Sequence, residues 1–216
     1  VQFPVGAEKQ IRTAFVFHFN QSMVPYAEVA EEACYVGLLE MLRGLKPTPF
    51  VLHISGTLLY EWLWTESPAL ELVKEGVADG QFELLGSTFS QNIIYSVDSA
   101  IDNQMQIELH RQLIEHVLGV SPVGFWNPER VWDPELTDLI AGNGYKYTFV
   151  EIPILSASGV WYPRIRGPHL VSGSEHDLVL IPDDIDFRNA VNGRDPVRAV
   201  SYLKVLNRRD EDDIYL

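Results

Sequence analysis

The sequence predicts an α/β fold with parallel strands. The first observation behind this is alternation: about six strand-like runs are each followed by a helix-like stretch, and a seventh run opens at Ile214-Tyr215-Leu216. The second is that no internal repeat or low-complexity linker divides the 216 residues, so residues 1–216 read as a single domain. The third is composition: 46% hydrophobic and 11% aromatic residues supply a full core. Alternation of this kind implies right-handed crossovers and places chemistry at the carboxyl ends of the strands. Periodicity alone leaves a doubly wound sheet open.

Taken in order, Thr13–Phe19 (TAFVFHF) reads as a first buried strand ending in the polar turn Asn20-Gln21-Ser22. His18 and Asn20 alternate onto one face of an extended chain. Residues 26–45 read as an amphipathic helix with Val29, Ala33, Val36 and Leu39 inward, stopped by Gly44 and Pro47. Cys34, the sole cysteine, excludes an internal disulfide and reads as a buried thiol. Pro49–Ile54 is the second strand, with His53 a structural group inside it, and Ser55-Gly56 opens a helix whose Trp62 and Trp64 read as packing.

Gln81–Gly86 is the third strand, followed by the polar loop Ser87-Thr88-Phe89-Ser90-Gln91. Asp98 or Ser99 caps a long helix to Leu118, on which His110 and His116, six apart, lie on different faces and read as surface residues rather than a zinc pair. Tyr147–Ile152 is the fifth strand, Pro153–Gly173 a long loop with room for a hairpin, and Leu178–Pro182 the sixth strand. The turn Asp183-Asp184-Ile185-Asp186 offers either helix capping or a catalytic carboxyl, with capping favoured. Asp195-Pro196 starts a last helix.

The stretch from Gly124 to Leu136, GFWNPERVWDPEL, reads as a strand end, a polar turn and a helix start capped by Asp133. It places the Glu129–Arg130 pair between Trp126 and Trp132, just beyond a strand. A carboxylate walled by indoles serves as acid, base or nucleophile, and indole faces stack on sugar rings. Read from the residues alone, a rim ion pair flanked by core tryptophans fits equally well.

The charge balance narrows the partners. Thirty acidic against sixteen basic residues give a formal net charge of −14. That disfavours nucleic acid and anionic membranes, both of which need positive surface, and leaves a neutral polymer acceptable. No run of roughly 18 apolar residues marks a transmembrane helix. The beginning, VQFPVGAEKQ, carries no signal-peptide pattern and no starting Met, which makes the cytoplasm the default compartment and an upstream segment an expectation. Nothing in the sequence specifies an oligomeric state.

The WNPERVWDPEL run resembles the third conserved region of glycoside hydrolase family 57, W-x-x-E-R-V-W-x-P-E-L. FHFNQ resembles the first region, with His18 at the first His, Asn20 in place of the second and Gln21 at the Gln. In the second region Phe89 keeps its position, while Ser90, Gln91 and Asn92 stand where Tyr, Glu and Pro would be. The resemblance implies a distorted (β/α)7 barrel of the glycoside hydrolase and deacetylase type, here incomplete. It also implies a retaining hydrolase or transglycosylase acting on an oligo- or polysaccharide, an α-glucan or related glycan, without metal or other cofactor. Glu129 would be the nucleophile. His18, Asn20, Gln21, Phe89, Gln91, Trp126 and Arg130 would bind substrate, Arg130 also keeping Glu129 ionised.

The resemblance puts the acid/base Asp within a few residues beyond Leu216, with the Asp183–Asp186 turn as fallback, so the chain as given is expected to be an inactive N-terminal portion of the catalytic domain. Two rivals remain in view: a metal-dependent polysaccharide deacetylase, which needs an Asp and His pair at strand ends, and a non-catalytic glycan-binding domain.

Overall fold

A computed structural model describes residues 11–21, 27–94, 100–161, 164–193, 195–207 and 214–215. The expected cap at Asp98 or Ser99, Ser22 and Tyr162 lie outside them. A seven-stranded sheet runs in the order β2-β3-β4-β5-β6-β8-β7, from β2 (Val16–Phe19) through β3 (Phe50–Ile54), β4 (Phe82–Gly86), β5 (Gly124–Phe125), β6 (Tyr147–Glu151) and β8 (Asp177–Asp183) to β7 (His169–Ser172). The pairs from β2 through β6 are parallel, as the alternation requires. β1 (Ile11–Arg12) pairs in parallel with β9 (Ile214–Tyr215) in a separate two-stranded sheet. The first strand is therefore shorter than expected, because Thr13, Ala14 and Phe15 lie outside both sheets, exposed to solvent.

The described residues fall into two compact units. One comprises Phe15–Thr148 with Val171–Leu178; the other draws on Val1–Ala14, Phe149–Leu170 and Val179–Leu216. In the first, α3 (Gly56–Trp64) is capped by the Ser55 hydroxyl, which accepts from Leu58 N–H, and α4 (Pro68–Ala78) by Ser67 with Pro68 in its first turn. The strand and helix pattern of the sequence gives no separate element for α4, whose Ala69, Leu70 and Val73 are buried. Leu52, Ile54, Leu58, Leu59, Trp62, Leu70 and Val73 are sealed from solvent between these helices and the strands, each contributing about 1.5–3 kcal/mol of burial. Trp64, by contrast, is 78% exposed: helical spacing puts it about 200° around from Trp62, off the packed face.

The helix expected over 26–45 is interrupted. α1 (Ala27–Ala30) and α2 (Val36–Gly44) flank a π turn, Glu31–Tyr35. The wider turn shifts the phase of everything before it, so Leu39 and Leu42 are buried while Val29, Ala33 and Cys34 are exposed. Cys34 is thus a surface thiol. Small residues shape the neighbouring strands too: a Cβ on Gly86 would overlap the Tyr145 hydroxyl, and one on Gly124 the Tyr147 ring. These bare positions on β4 and β5 let two tyrosines lie against the sheet.

In the second unit, α7 (Ile152–Ala157) occupies the start of the stretch expected to be a loop, with Pro153 in its first turn. Asp184 caps α8 (Ile185–Asn192) by accepting from the N–H groups of Asp186 and Phe187, and Asp195 caps α9 (Pro196–Leu206).

Candidate functional site

The parallel pairing brings His18 of β2 opposite His53 of β3. Each is at the carboxyl end of its strand, and sheet register alone makes them neighbours. Their Nδ1 atoms are 2.7 Å apart, with ring planes 19° from parallel. Beneath both lies Trp126, two residues past the start of β5: its ring centroid is 4.7 Å from that of His18 and 5.7 Å from that of His53, at 23° and 24°. Trp126 is only 8% exposed. Its face is thus occupied by imidazoles, and the Arg130 guanidinium sits 5.6 Å from its centroid. The tryptophan supports the histidines and leaves little ring face for a sugar.

Beyond Trp126 the chain makes a turn, Pro128–Arg130, in which Arg130 N–H donates to the Asn127 carbonyl at 2.9 Å and the buried Asn127 amide donates to the Val131 carbonyl. Glu129 (φ 53°) and Arg130 (φ 54°) are both left-handed, a conformation that costs a residue with a Cβ about 1–2 kcal/mol. Glu129 is exposed at the tip of the turn, so the expected indole walls do not enclose it. α6 (Leu136–Gly142) begins two residues later than expected. Asp133 closes the preceding turn through the N–H groups of Glu135 and Leu136.

The electrostatics tie these groups together. Although His18 as a residue is exposed, its ring is pressed against Trp126 and His53, and this burial brings its pKa down to about 4. The charge of Glu129 acts upward on it and that of Arg130 downward. His53 is fully buried, and loss of hydration, with His110 and His18 nearby, lowers its pKa well below the ordinary value. At neutral pH both are uncharged.

The loop after β4 completes the cluster. Gln91, also left-handed at φ 58°, brings its amide nitrogen to 3.2 Å from His53 Nε2, 2.9 Å from Ser87 Oγ and 3.1 Å from the Thr88 carbonyl. His110, expected at the surface, is fully buried. It reaches the Ile54 carbonyl at 2.9 Å and the Ser87 carbonyl at 3.2 Å, its ring 5.9 Å from that of His53. The missed signal was spacing to its apolar neighbours: Ile107, His110 and Ile114 are buried on one face of α5 (Ala100–Leu118). His116 is exposed, as expected.

Of the remaining expected residues, Asn20 follows β2 and is exposed, and the Gln21 carbonyl accepts from the Thr57 hydroxyl at 3.2 Å. Phe89 packs against Gly56, where no Cβ would fit, which is a structural contact. His18, His53, Gln91, Trp126 and Arg130 are brought together.

The acidic turn is otherwise engaged. Asp184 is buried, and its carboxylate takes Arg166 Nε at 2.8 Å and the Tyr202 hydroxyl at 2.7 and 2.9 Å besides capping α8. Arg188 pairs with Asp183 and, at 2.9 Å, with Glu151. Capping and ion pairing account for Asp183 and Asp184. Among the described residues no group of three or more His, Cys, Asp or Glu side chains is arranged to hold a metal ion, and no helix is long and apolar enough to cross a membrane.

The model of glycosyl hydrolase family 57 matches residues 12–201. An α-amylase of Pyrococcus abyssi is 27% identical over 209 residues, covering 95% of this chain and 32% of that protein. A 4-α-glucanotransferase of Thermococcus litoralis is 25% identical over 210 residues, covering 95% and 31%. The chain therefore spans about a third of the length of the curated relatives it matches. Among solved structures, the Thermococcus litoralis 4-α-glucanotransferase superposes with a TM-score of 0.84 at 22% identity, over 96% of this chain and 33% of that one. A putative polysaccharide deacetylase from Mycobacterium smegmatis superposes at 0.60 and 14% identity, over 100% and 89%. These structural likenesses concern the fold.

Proposed function

Because the chain belongs to glycosyl hydrolase family 57, we propose that it carries the nucleophile half of a retaining glycosidase or transglycosylase site for α-glucan, as one part of a catalytic domain. One observation carries the reading most directly. An exposed carboxylate, Glu129, is held in a left-handed turn just past a strand end, close enough for its charge to act on His18, which is braced on Trp126.

In this reading the Glu129 carboxylate attacks the anomeric carbon, the glycosidic C–O bond breaks, and the leaving oxygen takes a proton from an acid. Water or a sugar hydroxyl then attacks the glycosyl ester, giving its proton to the conjugate base of that acid and releasing the Glu129 carboxylate. His18, Asn20 and Gln21 meet sugar hydroxyls, and the Arg130 guanidinium lies over Trp126. Phe89 and Trp126 act from beneath, by shaping the loop and the imidazoles. The names of the relatives, α-amylase and 4-α-glucanotransferase, support an α-glucan.

The acid/base partner is not assigned to Asp184, whose oxygens are already bonded to Arg166, Tyr202 and the α8 N-terminus. The test is Glu129→Gln in the full-length protein, which keeps shape and removes charge. Transfer or hydrolysis of maltooligosaccharides should fall by several orders of magnitude with binding retained. Turnover close to that of the unaltered protein would remove Glu129 from the mechanism.

A further inference from the structure

We infer that Gln91 and His53 are positioning residues that fix the proton of His18 on Nε2, so that the site presents a hydrogen-bond donor, and not an acceptor, to its ligand. The inference rests on the proposed glycan site only for what that donor is used for; the direction of the protons follows from the bonds themselves.

Two backbone carbonyls, those of Trp126 and Thr88, only accept. Ser87 Oγ lies 2.7 Å from the Trp126 carbonyl, so its hydroxyl proton is committed there and its oxygen is left to accept. The Gln91 side-chain nitrogen lies 3.1 Å from the Thr88 carbonyl and 2.9 Å from Ser87 Oγ. Both contacts demand a donor, which assigns that atom as the NH2 group and rules out the flipped amide. The same NH2 is 3.2 Å from His53 Nε2. An amide NH2 accepts no hydrogen bond, so His53 Nε2 must be bare; with two protons for three acceptors, one N–H is shared between Ser87 Oγ and the Thr88 carbonyl.

His53 is fully buried and neutral, so its one proton is on Nδ1. That nitrogen is 2.7 Å from His18 Nδ1, which therefore accepts. His18, neutral as well with a pKa of about 4, is left with its proton on Nε2. Among the described residues Nε2 has no hydrogen-bond partner. Two carbonyls at the ends of β4 and β5 thus dictate, through four side chains, the polarity of a group facing outward. A donor fixed this way suits a lone pair of a sugar hydroxyl or ring oxygen.

The chain of donors also says how to reverse it. Gln91→Glu replaces the NH2 by an acceptor of similar shape. His53 then carries its proton on Nε2 toward the carboxylate, its Nδ1 is bare, and His18 must donate through Nδ1. Nε2 of His18 becomes an acceptor. Gln91→Met removes the donor without supplying an acceptor, and both histidines become mixtures of tautomers.

Nitrogen-15 NMR of the full chain, histidine-labelled and free of ligand at pH 7.5, reads each ring nitrogen as protonated or bare. The unaltered protein should show His18 protonated on Nε2 and His53 on Nδ1, Gln91→Glu should invert both, and Gln91→Met should give averaged shifts. His18 protonated on Nδ1 in the unaltered protein, or His53 still bare at Nε2 in a folded Gln91→Glu, overturns the inference; should that variant not fold, unchanged tautomers in Gln91→Met do so. Because no sugar is present, the result is independent of catalysis. Maltooligosaccharide that fails to bind a protein showing these tautomers counts against the proposed function, not against the proton order.

Discussion

Glu129 and Gln91 share an uncommon backbone: φ is 53° at one and 58° at the other, and each lies in the loop after its own strand, β5 and β4. Neither is a glycine, and each holds its side chain where a right-handed residue would turn it away. Such conformations persist where surrounding bonds over-determine them, and they gather at working sites. At Glu129 the constraint is the turn closed by Asn127.

The first prediction follows from that conformation. Glu129→Gly removes the left-handed penalty of about 1–2 kcal/mol and adds back about 0.5–1 kcal/mol of chain entropy. The variant should be as stable as the unaltered protein or up to about 1.5 kcal/mol more so, raising Tm by about 3–6 °C at most, while glycan chemistry is lost. Calorimetry decides it. A clear drop in Tm would mean that the Glu129 side chain is held by contacts stronger than the strain.

A second prediction concerns pH. Folded His110 takes up its proton near pH 4, against 6.5 for an ordinary histidine, chiefly because burial disfavours the charge. Between those values the unfolded chain binds more protons, so stability is fully present above pH 6.5 and declines as pH falls toward 4. His53 acts in the same direction. Urea unfolding should show a lower midpoint at pH 5 than at pH 7, and His110→Gln should flatten that difference while lowering the midpoint at pH 7. Equal pH slopes in both proteins would remove His110 as the cause.

The third prediction separates structure from chemistry in the acidic turn. Asp184→Asn keeps a capping oxygen but leaves Arg166 facing a neutral group in a buried setting, and should cost about 3–5 kcal/mol. Asp186→Asn, at an exposed position, should stay within about 0.5 kcal/mol. Denaturant titration of both variants checks this. A stable Asp184→Asn would reopen that carboxyl for another role.

The fourth prediction is that Cys34 reacts with a soluble maleimide in the folded protein at a rate close to that in denaturant, since the π turn leaves it exposed. Slow labelling of the native chain would place the thiol under cover.

Much of the sheet could be read from apolar runs: Phe50–Ile54, Phe82–Gly86 and Tyr147–Glu151 stand within a residue or so of their expected bounds. The ends of elements were harder, because Pro153 reads as a breaker in a loop and equally as the first turn of α7. At the site, Glu129, Trp126, His18 and Gln91 were visible as residue types in turns after strands. What stayed hidden was set by pairing and backbone. Register puts His53 beside His18, the buried face of α5 brings the His110 ring to 5.9 Å from that of His53, and no residue pattern announces two successive left-handed residues at Glu129 and Arg130. The exposure of Glu129 was misjudged for the same reason, since flanking tryptophans in sequence say nothing of which way a turn points.

The π turn of Glu31–Tyr35 has a consequence for chain length. It holds one residue more than a regular helix over the same rise needs, and α2, with its buried Leu39 and Leu42, is already in phase with the core. A single-residue deletion inside Glu31–Tyr35 would heal the turn into ordinary α-helix. The segment before it would keep its facing, because four α-helical residues turn the chain about as far as the five of the π turn, and β2, β3 and their histidines would stay where they are. The first helix therefore carries a built-in spare residue, a point at which the sequence can shorten without a gap opening in the sheet.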